Sequence, residues 1–188
     1  MLEADIRAWI SRFVWACVLG LGGIAMADSM LIDDFSESDG RWRFVTDGVM
    51  GGVSTGQVVI DRDTTGAFLH LSGAVSTENR GGFIQARLDL DAPLSGDKTR
   101  LRLRVKGDGQ IYFIHIRTRA TRLPWQYYQA AFSTSGAWQE INLPLADFRP
   151  SGSTLPKAPR GETIKSIALV AYGRDHVADV SLERISVD

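Results

Sequence analysis

"RLRLRVK", Arg100 to Lys106, alternates without a break. Leu101, Leu103 and Val105 point one way; Arg100, Arg102, Arg104 and Lys106 point the other. A strand with one buried face reads like this. The turn signal Lys106-Gly-Asp-Gly109 follows, and then a second strand-like run, "QIYFIHIRTR", from Gln110 to Arg119. The two runs together predict a β-hairpin.

The same period-2 patterning extends outward from this pair. Further strands are predicted at 30–35, 41–45, 57–61, 67–71, 83–90, 127–132, 138–143, 164–172 and 177–187. "SIALVAY" (166–172) is almost continuously apolar, as a central strand covered on both sides would be. In the last run the apolar parity switches from Val180 and Leu182 to Ile185 and Val187, which predicts a bulge near Glu183-Arg184. Residues 92–98 and 149–162 read as loops, and 145–148 as one helical turn. No amphipathic helix period competes, so the fold class is all-β, an antiparallel β-sandwich.

The chain has 188 residues, the size of one ordinary domain. Residues 1–27 read as a secretory signal helix: Arg7 and Arg12, an apolar run "FVWACVLGLGGIAMA" (13–27), and a small-x-small ending at Ala27. At 15 residues that run is shorter than the roughly 20 needed to span a bilayer. Cleavage after Ala27 would leave one domain, 28–188, exported to the periplasm or outside the cell, with no membrane span. The single cysteine, Cys17, falls within the signal, so the mature chain has neither a disulfide nor a thiol nucleophile. The formal charge is −1. The signal removes two charges of each sign, Arg7, Arg12, Glu3 and Asp5, so this balance persists. Near-neutrality argues against nucleic acid as a partner.

"TDGVMGGVSTG", Thr46 to Gly56, packs four glycines into eleven residues. A Walker loop would need a lysine and a hydroxyl after its glycines, yet Val53-Ser54 follows and no lysine occurs between Arg43 and Lys98. A dinucleotide loop would need a helix next, and the residues after Gly56 alternate as a strand. The expected role is structural. Asp47-Gly48 and Gly51-Gly52 would make positive-φ turns, Asp47 would bond amides two residues on, Ser54 completes the motif, and Met50 would plug the sandwich end. A ligand role is the alternative.

Four blocks in order carry a family likeness: "WRFVTDGVMGGVSTG" (42–56), "ENRGGFIQARLDL" (78–90), "LRVKGDGQIYFIHIRT" (103–118) and "AWQEINLPLADFRP" (137–150). Together they resemble the complex I intermediate-associated protein 30 family, over essentially the whole mature chain. The resemblance implies a galactose-binding-like jelly roll. It also implies a non-catalytic role, since the mitochondrial members are assembly factors that chaperone complex I intermediates. The export signal sets this chain apart from those matrix proteins.

Other candidate sites are few. His70, His115 and His176 are too far apart in sequence to form a ligand pair, and His115 shares strand parity with Phe113 and Arg117, as a sheet histidine would. Asp33, Asp34, Asp175 and Asp179 near the first and last strands could hold Ca²⁺ or simply blunt strand edges. No Gly-x-Ser-x-Gly motif is present, and no catalytic residue, metal or cofactor is expected. The more promising surface is basic and aromatic: Arg87, Arg102, Arg104, Arg117 and Arg119 at polar strand positions, with Trp125, Tyr127 and Tyr128 in "LPWQYYQ". If the predicted hairpin pairs side by side, these arginines would share one face, with the aromatics at its rim. Arginine forks suit carboxylates and phosphates, and exposed rings suit sugar faces or protein anchors. The sequence therefore leads to a binding module for a protein partner, with a cell-envelope carbohydrate-binding module as the alternative.

Overall fold

The computed structural model describes residues 29–37 and 40–188. The expected signal segment, its cleavage site and Cys17 lie outside the described residues. Twelve strands make two six-stranded antiparallel sheets. Sheet A runs β3 (Thr55–Asp63), β4 (Gly66–Val75), β12 (His176–Val187), β6 (Arg100–Gly107), β9 (Gln139–Pro144), with β1 (Met30–Asp33) against the far end of β12. Sheet B runs β10 (Arg149–Pro150), β8 (Tyr128–Ser133), β7 (Ile111–Thr118), β11 (Ile164–Tyr172), β5 (Phe83–Asp89), β2 (Trp42–Thr46). Short 3-10 turns cover Asp47–Met50 and, as expected, Leu145–Asp147.

Alternation dictates the core. Leu101, Leu103 and Val105 of β6 point inward beside Leu69 and Leu71 of β4 and Val180 and Leu182 of β12. From sheet B, Tyr112, Ile114 and Ile116 meet them, with Ile84, Ala86 and Leu88 on β5 and Ile167, Leu169 and Ala171 on β11. All are buried, and the hydrophobic effect over this one interior is the main force holding the layers together. The expected bulge in β12 is present: Leu182 faces Val105 and Arg184 faces Arg104, so Glu183 is the extra residue. The bulge restores inward parity for Ile185 and Val187.

The predicted hairpin is corrected. β6 and β7 do not pair; β6 lies between β12 and β9, and β7 between β8 and β11. The turn after β6 crosses from one layer to the other. Gly107 donates its N–H to the Ser135 carbonyl (2.9 Å), and Asp108 donates to that of Asp179 (3.2 Å). Inward alternation is shared by hairpins and by strands facing each other across a sandwich, so it sets the buried side of each strand without choosing its neighbour. "SIALVAY" is central, flanked by β7 and β5.

Candidate functional face

The glycine-rich loop is built round one buried carboxylate. Asp47 accepts from the Ser54 N–H (3.0 Å), the Ser54 hydroxyl, the Gly82 N–H (2.6 Å) and the Phe83 N–H (3.2 Å). Burial opposes its charge, but bonds from Gly82, Ser54 and Phe83 outweigh that and hold its pKa below the ordinary carboxylate range. The expected amide bonds two residues on are instead made by Thr46, whose hydroxyl accepts from Gly48 N–H (3.0 Å). Of the paired glycines only Gly51 has positive φ, at 87°, while Gly52 is required because a Cβ there would overlap the Asp47 carboxylate. Met50 does not plug the sandwich: it is 58% exposed and stands at the tip with exposed Val49 and Val53. The buried Asp47 carboxylate is the anchor, so the turn needs no apolar plug from Met50.

The expected arginine–aromatic face divides. Arg102 and Arg104 lie on β6 and face outward from sheet A, whereas Arg87 on β5 and Arg117 on β7 face outward from sheet B. The two pairs are therefore on opposite sides of the molecule, a direct result of β6 and β7 entering different layers. Tyr128 belongs to neither face; it is 1% exposed, in the core. Arg119 follows the end of β7 and is exposed, and Trp125, 64% exposed, stands in the connection to β8.

Sheet B brings the remainder together with residues that sequence reasoning missed. Register places Asp89, Ser166 and Arg117 in one cross-strand row, and Arg43, Arg87, Ala168, His115, Gln129 and Arg149 in the next. Gln85, Val170 and Phe113 form a third, with Tyr172 beyond. Small side chains on central β11 thus make a floor between larger ones on its neighbours. Tyr127 stacks on His115 with ring centroids 4.1 Å apart and planes 9° apart. Tyr172, 36% exposed, meets His115 and Phe113 edge-on at 5.7 and 5.9 Å. Such tilted contacts fit the quadrupoles of the rings. The signal for Tyr172 was its outward parity with Ser166, Ala168 and Val170, hidden because that whole run reads as apolar.

The electrostatics follow from burial. His115 is buried, which pushes its pKa down to about 3, and the neighbouring Gln129 amide offsets little of that. It is neutral at pH 7, and neither its Nε2 nor Gln129 Oε1 has a hydrogen-bond partner among the described residues. Burial and adjacent Tyr172 raise the Tyr127 phenol, so it stays protonated. Arg117 donates to the carbonyls of Leu123 (2.9 Å) and Thr121 (3.5 Å), and Arg87 to Ser166 Oγ (3.0 Å).

The remaining candidates disperse. Asp33 is buried and accepts from Phe35 N–H, Arg41 Nη2 and Trp42 Nε1 (2.8–2.9 Å), which ties the segment before β2 to β1. Asp34 accepts from Ser36, Asp175 from Thr77, and Asp179 approaches His70 at 2.9 Å. Asp33 pairs opposite Ile185, six residues along β12 from Asp179, or about 20 Å. Among the described residues no three acidic, histidine or cysteine side chains gather as a metal site. His176 bonds the Arg174 carbonyl through Nδ1 (2.8 Å). No described helix is long and apolar enough to cross a membrane.

Solved structures share this architecture. A family 11 carbohydrate-binding module from Clostridium thermocellum, in complex with a beta-1,3-1,4-mixed-linked tetrasaccharide, superposes with a TM-score of 0.70. It is 15% identical over 85% of this chain and 94% of its own. The family 11 module of the cellulosomal cellulase Lic26A-Cel5E from the same organism gives 0.69 at 16% identity, covering 85% and 93%. A family 30 carbohydrate-binding module gives 0.53 at 14%, covering 73% and 91%. At such identities the likeness is one of fold. No curated protein sequence matches the chain. The sequence pattern of one family, however, matches residues 33–183, most of the chain, and includes the Asp47 loop and the rows of sheet B. The chain belongs to the complex I intermediate-associated protein 30 (CIA30) family.

Proposed function

We propose that this protein is a non-catalytic, exported binding module that takes a glycan across the outer face of sheet B. The observation that carries the reading is the Tyr127–His115–Tyr172 ring cluster, set beside Arg87, Arg117 and Gln129 around the small floor of Ala168 and Ser166. Rings supply apolar contact to the C–H faces of sugars, and side-chain forks and amides match their hydroxyl edges. A module of the same fold solved with a bound tetrasaccharide lends support. Calorimetric titration against envelope and plant polysaccharides tests it. A bound glycan should lose roughly tenfold in affinity with Tyr172→Ala, the scale of one good aromatic contact. No binding to any glycan would sink the reading. The export component has its own check: intact-mass measurement of the secreted protein should give a chain beginning at Asp28.

A protein partner is the second reading, favoured by exposed Val49, Met50 and Val53 on the rigid Asp47 loop and by exposed Leu123 and Trp125. Native pull-down recovering a stoichiometric partner, lost with Trp125→Ala while no glycan binds, would replace the glycan reading.

A further inference from the structure

The two outer faces treat their arginines differently. On sheet A, Arg102, Arg104 and Arg184 each have a carboxylate, while Arg62 and Arg100 form no ion pair among the described residues. Arg102 Nε donates to Asp188 Oδ2 (2.6 Å), Arg104 pairs with Glu183, and Arg184 Nη2 donates to Glu140 Oε1 (3.0 Å). Three cations meet three anions. On sheet B, Arg43 and Arg87 share Asp89, which Arg87 Nε reaches at 3.3 Å. Arg117 and Arg149 form no ion pair among the described residues; Arg117 is steadied by the Leu123 carbonyl alone at good length. Of the four arginines in these rows, only Arg43 and Arg87 have a carboxylate partner among the described residues, and it is the same one. Arg117 has its charge disfavoured by burial and then by the Arg87 guanidinium, with Asp89 opposing. Two part-buried cations held near each other are stabilised by an anion between them, and the guanidinium fork fits carboxylate and sulfate alike.

A second observation marks the same spot. His115 Nε2 and Gln129 Oε1, neighbours in the row between Arg87 and Arg149, are buried and neither makes a well-formed hydrogen bond among the described residues, Gln129 easing the burial of His115 only slightly. Buried polar atoms are normally paired, and a sugar hydroxyl, both donor and acceptor, can serve the two together.

We infer that the ligand is an acidic glycan, whose carboxylate or sulfate groups sit between Arg87 and Arg117 while a hydroxyl reaches His115 and Gln129. The inference rests on the glycan reading above and narrows it to one chemical class. It is tested on residues 28–188 with paired probes that differ only in charge: polygalacturonate oligomers against their methyl esters, and sulfated galactan oligomers against the desulfated chains. At low salt an acidic member should bind at least about tenfold tighter than its neutral counterpart. That advantage should shrink several-fold between 50 and 300 mM NaCl, on the order expected from screening of partly exposed charges. Preference for the uronate or for the sulfate pair assigns the source of the anion, and either supports the inference. Arg87→Gln and Arg117→Gln should each erase the preference, whereas Arg102→Gln on the opposite face should keep it. Equal binding of charged and neutral members overturns the inference and leaves the glycan reading standing. Binding of none overturns both. The salt dependence of the unmodified protein decides the matter even if the arginine variants fail to fold.

Discussion

At the residue scale, Asp47 organises the family's most specific motif by accepting hydrogen bonds from Ser54, Gly82 and Phe83. Asp47→Asn keeps the shape but replaces one acceptor oxygen with a donor facing amides. It should cost about 2–3 kcal/mol in urea denaturation, the range for losing bonds to a buried charge. Gly51→Ala should cost only about 1 kcal/mol, for its positive φ. Gly52→Ala should cost more than Gly51→Ala, because the added Cβ meets the carboxylate itself. The sequence pattern suggested a structural loop but not what holds it, since the donors lie 7, 35 and 36 residues from Asp47. Met50 was misread for the same reason: an apolar residue in a turn looks like an anchor until the actual anchor is known. His115 yields a pH prediction. Its folded pKa of about 3 lies below the ordinary 6.5, so the unfolded chain binds the proton first as pH falls. Stability should drop between pH 6.5 and 3, by up to about 1.4 kcal/mol per pH unit. His115→Gln should flatten that part of the stability profile.

At the element scale, β12 shows how far alternation reaches. The parity switch was legible because Val180, Leu182, Ile185 and Val187 cannot all face one side without an extra residue. Deleting Glu183 should therefore be tolerated, with a loss of about 1–2 kcal/mol, since parity survives and only a partly buried pairing with Arg104 is lost. Deleting Ser181 should cost more than about 3 kcal/mol, because Val180 and Ala178 would turn from the core to solvent. Thermal melts of the two deletions compare them directly. Strand partners were not legible. Both β6 and β7 were recognised, yet no residue pattern within either says that the Gly107–Gln110 turn passes between layers. That single topological fact separated Arg102 and Arg104 from Arg87 and Arg117, and it is why the expected single face divides between the two sheets.

At the scale of the whole molecule, one interior serves both sheets, and each sheet carries a different outer surface. Strands from residue 30 to residue 187 contribute to that interior. Calorimetry of residues 28–188 should accordingly show one cooperative unfolding transition; two resolved transitions would mean that the sheets are separable units. The sandwich and its size followed from strand count and patterning. The face of sheet B did not, because Arg43, Phe83, Arg87, His115, Tyr127 and Tyr172 come from five places along the chain and meet only after the register is set.

The position of β12 has a consequence for how the protein is made. It is the last strand in chain order, yet β4, β6 and β1 all pair with it. While the polypeptide is still emerging, β4 has only its β3 neighbour, and β6 has only β9. Sheet A lacks its middle until β12 has been synthesised. Under the proposed export, such a delay in completing sheet A would favour passage through a secretion channel before folding. A protein ending at residue 175 should remain protease-sensitive and lack native β-sheet circular dichroism, however well its other strands are encoded.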